Sequence, residues 1–221
     1  GVSVIASLQL GSIIAVITYF RTDLFAIFSG SSKAFFDNRW NATSFKLALS
    51  IFVGTLPIIF LGMFIKIFWT GYEVSIIRSI PSIALVSILM SLLMLLAELL
   101  GKRFRTLDDI KISDGLLIGF AQSLALIPGV SRSVVTITTA LMTGWERQSA
   151  AKLTFLLGVP AITLAGIVEL RGAIGTFTFG ELTPLCLGIF SSAITSFLSI
   201  DFLIKFLQRQ NMMIFITYRF F

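Results

Sequence analysis

Most of the side chains that could do chemistry lie in one short segment that interrupts an apolar stretch. The segment joins a helix-breaking dipeptide to a group of polar residues: Pro128, Gly129, Ser131, Arg132, Ser133 and Thr136. Gly129 permits a turn that a side chain would obstruct, and a serine hydroxyl can cap a helix that starts here. The free N–H groups and the dipole of such a helix start attract anions. Arg132 adds a fixed charge and a fork of donors that suits phosphate oxygens, so the segment predicts a phosphate site.

Two neighbouring side chains are candidates for the same site. Thr136 follows Arg132 by four residues and Ser133 by three, which places all three on one helical face. Gln122, in the preceding half of the segment, either approaches the site or packs in the core. A structural interpretation stands beside the chemical one, because Pro-Gly followed by Ser is also ordinary helix punctuation. The residues alone leave both interpretations open, although an arginine within a membrane usually has a function.

The composition of the 221-residue chain requires that most of its surface face something other than water. Hydrophobic residues make up 56% of the chain and charged residues 13%, with a mean hydropathy of +0.97. A soluble domain of this size has about a quarter of its residues charged. The sequence lacks the alternating apolar pattern of a barrel. It therefore predicts an all-α, polytopic membrane protein, whose helices satisfy their own backbone groups.

Five apolar runs approach the ~20 residues that a bilayer requires, and a sixth begins near the end of the sequence. They cover about Val2–Phe20, Leu47–Phe68, Ile80–Leu100, Leu153–Leu170 and Leu182–Leu207, with Met212–Phe221 starting the sixth. We interpret residues 1–221 as a single integral membrane domain with about six transmembrane helices.

The segment from Asp114 to Thr143 is too long for one helix and too short for two spans. Pro128 and Gly129 break it near the middle, and proline is hostile to a continuing helix. Each half has about 14 residues, which at 1.5 Å per residue reaches ~21 Å into a hydrocarbon core ~30 Å thick. The segment therefore predicts one re-entrant helix-loop-helix, over about 114–143, that returns to the side from which it enters.

The distribution of basic residues supports re-entry. If the segment re-enters, one side of the membrane collects twelve of them: Arg21, Lys33, Arg39, Lys46, Lys102, Arg103, Arg105, Lys111, Arg147, Lys152, Lys205 and Arg209. The other side keeps Arg78 and Arg171, with Lys66 near the boundary. The positive-inside rule then places the basic loops in the cytoplasm. The net charge of +6 is thereby explained without nucleic acid, for which no soluble basic face exists.

The polar segment and several other stretches match a known pattern. The segment reads Pro128-Gly129-Val130-Ser131-Arg132-Ser133, followed by Thr136. Other stretches agree in order and character over nearly the whole chain: Gln9-Leu10-Gly11-Ser12-Ile13, Pro57 with Gly62, Ala97-Glu98, Gln122 with Leu124-Ala125-Leu126, Phe155-Leu156-Leu157 with Pro160, and Tyr218-Arg219-Phe220. Together they resemble the bacterial undecaprenyl-diphosphate phosphatases of the bacitracin-resistance type.

That resemblance implies hydrolysis of undecaprenyl diphosphate to undecaprenyl phosphate and inorganic phosphate. The reaction recycles the carrier lipid for peptidoglycan synthesis in the cell wall and confers bacitracin resistance. The resemblance also implies a multi-pass protein of the bacterial cytoplasmic (inner) membrane, with a polyprenyl diphosphate lipid as its partner and action at the outer face. The predicted topology brings the re-entrant pair in from the cytoplasm, so the face that admits substrate stays open, as does a homodimer.

One part of the family pattern has no counterpart here. The family's second motif, rich in Glu with a Ser and a His, would fall before Gly1 and nothing in this chain matches it. We therefore expect an N-terminal re-entrant pair to be absent, and the chain to be part of an inverted repeat. No metal ligand is predicted in this chain, and a divalent cation (Mg or Ca) would have its ligands upstream of Gly1.

The resemblance also implies roles for the polar segment. Arg132 is expected to clamp the diphosphate and stabilise the transition state. The hydroxyl groups of the segment would orient phosphate oxygens: Ser131, Ser133 and Thr136. Gly129 and Gln122 would contribute to substrate binding. A seryl nucleophile would need an activating base, and the chain contains no His.

A rival function belongs to another class. A transporter or flippase for polyprenyl phosphates or other anionic lipids would also aim half-helix ends at an anion within inverted repeats. The remaining intramembrane charges are expected to be structural, with Glu98 paired to Lys102 and Asp201 paired to Lys205 at helical spacing.

Overall fold

The computed structural model describes residues 2–69, 71–72, 75–173 and 182–220. Within these ranges the chain forms nine α-helices and no β-strand: α1 (Val2–Tyr19), α2 (Arg21–Phe36), α3 (Thr43–Phe68), α4 (Ile80–Leu100), α5 (Ile112–Ser123), α6 (Arg132–Met142), α7 (Arg147–Ala173), α8 (Leu182–Arg209) and α9 (Met213–Phe220). The predicted all-α class is confirmed. Gly1 and Phe221, the ends of the predicted domain, lie outside the described residues.

Four helices are long and apolar enough to cross a bilayer, namely α3, α4, α7 and α8. A fifth span is obtained if α1 and α2, which are bent by 65° relative to each other, are counted as one. The last helix, α9, has eight residues and so rises about 12 Å. The described residues therefore contain four or five spans by length and composition, and the count of about six stays a prediction.

Many large apolar side chains of the long helices are exposed on the outside of the molecule. Phe60, Leu99 and Phe202 are each more than 60% exposed, whereas Leu156 and Ala97 are completely buried. Small residues allow close packing between helices: Gly11 of α1 lies against the backbone of α8, and Ser12 is 3.0 Å from Ser196 across the same contact. Outward-facing apolar surface and small interfacial residues are typical of helices in lipid.

The segment between α4 and α7 is a helical hairpin, and its re-entry into a membrane over about 114–143 stays a prediction. Its first half is α5 and a 3-10 turn (Leu124–Leu126), and its second half is α6. The loop before α5 meets the loop after α6: Phe104 and Arg105 donate backbone hydrogen bonds to the Gly144 carbonyl (both 2.9 Å), and Glu146 donates to the Arg105 carbonyl (2.9 Å). We call this junction the base of the pair. Because both ends meet at the base, the segment folds back to the place where it starts.

One predicted ion pair is confirmed and another is wrong. Lys205 donates to Asp201 at 2.8 Å, as the helical spacing predicts. Glu98 pairs with Arg103 (3.1 Å) and with Arg147, and not with Lys102. The reason is that α4 ends at Leu100 and Gly101 turns into extended backbone. Lys102 therefore never reaches the position one helical turn beyond Glu98.

Candidate active site

The break between the two half-helices is a tight turn that requires glycine. Gly129 has a φ of +92°, in the left-handed region that other residues rarely adopt. A Cβ atom on Gly129 would lie 2.6 Å from the carbonyl oxygen of Ile83 in α4. The turn is closed by a bond from the Val130 N–H to the Ile127 carbonyl (3.1 Å). The prediction that a side chain would obstruct the turn at Gly129 is confirmed.

The second half-helix begins at this turn with unused backbone donors. Ser131 occupies the N-cap position of α6, but its hydroxyl accepts no capping hydrogen bond. The first helical bond runs from the Val135 N–H to the Ser131 carbonyl (2.9 Å). The N–H groups that precede it have no partner inside a helix, and the helix dipole adds partial positive charge at the same point. The hydroxyl of Ser131 and these donors are thus available to an anion.

Arg132 brings a full charge to the same point. Its guanidinium donates from Nη1 to the carbonyl of Gly158 in α7, at 3.3 Å. Among the described residues no carboxylate pairs with Arg132, in contrast to Arg103, Arg105 and Arg147. A partly buried arginine at membrane depth is costly without a counter-charge. The arrangement is therefore suited to an anionic ligand that supplies it.

Thr136 and Gln122 occupy less accessible positions. Thr136 is fully buried, and its hydroxyl lies 2.8 Å from the Arg132 carbonyl and 3.2 Å from that of Ser133. This bonding holds the first turn of α6 and directs the hydroxyl proton away from a ligand. Gln122 is also fully buried, and neither polar atom of its side chain has a partner among the described residues. The assignment of both residues to phosphate or substrate binding stays a prediction.

A second arginine at the break was missed in the sequence. Arg219 of α9 donates from Nη2 to the Gly129 carbonyl (2.9 Å) and to the Ser87 hydroxyl (2.9 Å), and from Nε to the Ser91 hydroxyl (3.3 Å). Both serines belong to α4. The sole signal in the sequence was the family-like stretch that contains Arg219, because 90 residues separate it from Gly129.

The break lies far from the base of the pair. The end of α4 at Leu100 leads into the base, whereas Gly129 packs against Ile83, in the first turn of α4. The hydroxyl of Tyr72, in the connection before α4, donates to the Leu126 carbonyl. Gly158, the partner of Arg132, lies 11 residues into α7, which is about 16 Å from the base end at 1.5 Å per residue. The site thus lies at the end of the pair opposite the base.

The described residues do not form a metal site. No group of three or more His, Cys, Asp or Glu side chains that could hold a metal ion occurs among them. The residues present therefore do not fit a divalent cation by themselves. The chemistry that they can supply is charge neutralisation and hydrogen bonding to phosphate oxygens.

Comparison with known proteins gives consistent matches over the whole chain. The family described as "Bacitracin resistance protein BacA" matches residues 2–221. A protein named undecaprenyl-diphosphatase from a strain of Prochlorococcus marinus is 63% identical over 220 residues, which cover 100% of this chain and 76% of that relative. Its namesake from Synechococcus sp. (strain WH7803) is 52% identical over 219 residues, covering 99% of this chain and 77% of that relative.

Proposed function

The chain belongs to the bacitracin resistance protein BacA family, and we propose that it hydrolyses undecaprenyl diphosphate at the break between α5 and α6. The products are undecaprenyl phosphate, the carrier lipid of peptidoglycan synthesis, and inorganic phosphate. The observation that carries the site assignment is Arg132, a guanidinium at membrane depth with no carboxylate partner among the described residues, beside the free donors of a helix start. We also propose that the protein lies in a bacterial inner membrane, as the family resemblance implies.

The residues at the break would act mainly on the charge of the reacting group. The oxygen of water bonds to the terminal phosphorus, and the bond from that phosphorus to the bridging oxygen breaks. Undecaprenyl phosphate leaves with the bridging oxygen, and the proton lost by water passes to a phosphate product or to solvent. Arg132 and the N–H groups at the start of α6 would stabilise the negative charge on the phosphate oxygens. Ser131 and Ser133 would orient the terminal phosphate. The expectation of a divalent cation (Mg or Ca) stays a prediction, and the residues' roles stated here do not depend on it.

We propose that the diphosphate reaches the site from the outer face of the membrane. The positive-inside rule favours a cytoplasmic base for the pair, and the break contacts the opposite end of α4 through Ile83. A re-entrant pair that starts in the cytoplasm can therefore present its tip to the outer side. The predicted topology and the outer-face action that the family resemblance implies are therefore compatible.

The polyprenyl chain has a candidate groove beside the site. A cavity of about 590 Å³ lies between α3 and α5, and its lining includes Val53, Pro57, Phe64 and Phe120. The lining is apolar except for Ser123, at the end of α5 next to the break. A hydrocarbon tail that leaves the site along α5 would lie in this groove while its diphosphate stays at the start of α6.

Phosphate release from undecaprenyl diphosphate in detergent micelles tests the function. We would compare the full-length protein with its Arg132→Ala variant and with Arg39→Ala, which removes an exposed arginine that pairs with Asp37. We expect Arg132→Ala to lower kcat/KM about 100-fold or more, as for loss of one transition-state donor, and Arg39→Ala to have no effect. If folded wild-type protein supplied with Mg²⁺ or Ca²⁺ releases no phosphate, the hydrolase proposal is wrong and the lipid transporter takes its place.

A further inference from the structure

Arg219 of α9 lies between α4 and the break, and its guanidinium donates hydrogen bonds to both. It donates to two serine hydroxyls of α4 and to the Gly129 carbonyl. We infer that Arg219, held by Ser87 and Ser91, is a positioning residue that fixes the turn from which the phosphate-binding donors of α6 project. The inference rests on the proposed function, because it assigns Arg219 to the same reaction.

The two serines present their hydroxyl groups as acceptors. Ser91 is fully buried, and its hydroxyl donates to the Ser87 carbonyl at 2.8 Å. Its proton is thereby directed away from Arg219, and a lone pair is left for the Nε–H group. The Ser87 hydroxyl accepts from Nη2 at 2.9 Å. Two acceptors, one helical turn apart on α4, match the rigid fork of a guanidinium, which a lysine ammonium cannot reproduce.

The peptide between Gly129 and Val130 is held on both of its polar sides. Its N–H group donates to the Ile127 carbonyl at 3.1 Å, and its carbonyl accepts from Arg219 at 2.9 Å. Glycine in the left-handed region has low barriers to other conformations, so this peptide would rotate readily if one bond were lost. Rotation would redirect the following N–H groups, which are the donors that the proposed function assigns to the phosphate.

Charge alone does not account for these contacts. Arg219 has no carboxylate partner among the described residues, so it adds a second positive charge near the break, and this charge would attract an anion at a distance. The serine contacts, however, fix where the guanidinium lies. A variant that keeps the charge and loses the fork therefore separates positioning from attraction.

The experiment uses the full-length protein in detergent micelles and measures kcat and KM for phosphate release, together with the thermal unfolding temperature. The variants are Arg219→Lys and the double change Ser87→Ala with Ser91→Ala. Ser82→Ala is the matched control, because it removes a hydroxyl from the same helix that donates to the Ile76 carbonyl and accepts from the Ser79 hydroxyl, and Arg219 bonds to neither of these groups. Ser87→Thr tests rescue, since it keeps a hydroxyl at the same position.

We expect both test variants to lower kcat at least about tenfold with KM within about twofold, because a positioning contact acts on the transition state. The kcat of Ser82→Ala and Ser87→Thr should stay within about threefold of the wild-type value, and all four variants should unfold within a few degrees of the wild-type protein.

Unchanged kcat in folded Arg219→Lys and in the double serine variant would overturn the positioning role while leaving the hydrolase intact. A loss that follows the unfolded fraction alone would also overturn it. An inactive wild type would instead overturn the proposed function, and the inference with it.

Discussion

Arg132 is opposed by a backbone carbonyl rather than by a carboxylate, and this distinguishes it from the paired arginines at the base. Arg105 donates to both carboxylate oxygens of Asp114, at 3.0 and 2.5 Å, so its charge is already compensated. The carbonyl of Gly158 orients the Arg132 guanidinium without neutralising it. An oriented and uncompensated charge in a low-dielectric site is what stabilises developing negative charge most effectively.

The placement of Arg132 depends on the absence of a side chain at Gly158. A Cβ atom there would lie 2.9 Å from Nη1, 3.0 Å from Cζ and 3.1 Å from Nη2 of Arg132. Gly158→Ala should move the flexible end of Arg132 by a few tenths of an ångström and change kcat/KM by no more than about threefold. Gly158→Leu should displace the guanidinium and lower kcat/KM about 100-fold, since misplacement by about 1 Å can cost that much.

Phosphate release and thermal unfolding of the two Gly158 variants provide the check. The predicted pattern is a graded loss of activity in protein that is folded at the assay temperature, with a lower Tm for the leucine variant because Gly158 is buried. Equal activity in the alanine and leucine variants would show that the guanidinium need not lie against α7.

Residue roles were predictable where they follow from neighbours in the sequence. The turn at Gly129 and the charge of Arg132 at a helix start could both be read from six consecutive residues. Arg219 and Gly158 could not, because their contacts join positions 90 and 26 residues apart and have no periodic signal. The Glu98 pairing failed for a local reason: helical spacing was extended past Leu100, where the helix ends.

At the scale of elements, the two half-length helices α5 and α6 are fastened together at their base. The base contains the Arg105–Asp114 pair, and the Arg105 guanidinium also lies over the Trp145 ring at 4.8 Å. Asp114 accepts the Lys111 backbone N–H at the start of α5 as well (2.8 Å). The helix break itself was predictable from Pro128 and from segment length. This fastening was not, because it joins Arg105, in the loop before α5, to Asp114 in α5 and to Trp145, in the loop after α6.

Asp114→Asn should destabilise the protein through this base. The side chains of Arg105 and Asp114 are 14% and 9% exposed, and breaking such a buried pair costs about 3 kcal/mol or more. The apparent Tm in detergent should fall by several degrees. Asp201→Asn breaks the more exposed pair with Lys205 and should change the Tm far less, because exposed pairs contribute little. Equal shifts in the two variants would contradict the fastening role of the base.

The groove between α3 and α5 makes a prediction about substrate chain length. Val53→Trp fills this groove, whereas Ala48→Trp, five residues earlier on α3, fills a groove that faces α2. We expect Val53→Trp to raise KM for undecaprenyl diphosphate about tenfold, because contacts with two methylene-sized groups are worth roughly that factor. KM for the short farnesyl diphosphate should stay within about twofold. Ala48→Trp should change neither.

Steady-state phosphate release with the two lipids measures this difference. A rise in KM that is the same for both chain lengths would place the polyprenyl tail elsewhere and leave the assignment of the diphosphate site unaffected. A rise for the longer lipid in Ala48→Trp would move the tail to the groove beside α2.

At the scale of the whole molecule, the hairpin of α5 and α6 separates the base of the pair from the break. The basic loops favour a cytoplasmic base, and α5 with its 3-10 turn is long enough to carry the break about 24 Å from that base. The first turn of α4 and the connection before it meet the break there, through Ile83 and Tyr72. This distance supports the proposal that the pair starts at the cytoplasmic side and meets its substrate from the outer side.

This arrangement predicts which positions a reagent reaches from outside the cell. In a Cys186→Ser background, which removes the single cysteine, Ser131→Cys at the break should react with a membrane-impermeant maleimide in intact cells. Lys111→Cys at the base should react after permeabilisation and not before. Labelling of Ser131→Cys should also fall when undecaprenyl diphosphate is added, because the diphosphate would cover the start of α6. Labelling of Lys111→Cys in intact cells would show that the base faces the outside, opposite to the predicted orientation. If neither position is labelled in intact cells and Ser131→Cys is labelled after permeabilisation, the site opens to the cytoplasm. The outer-face proposal would then be wrong, even if the hydrolysis is confirmed.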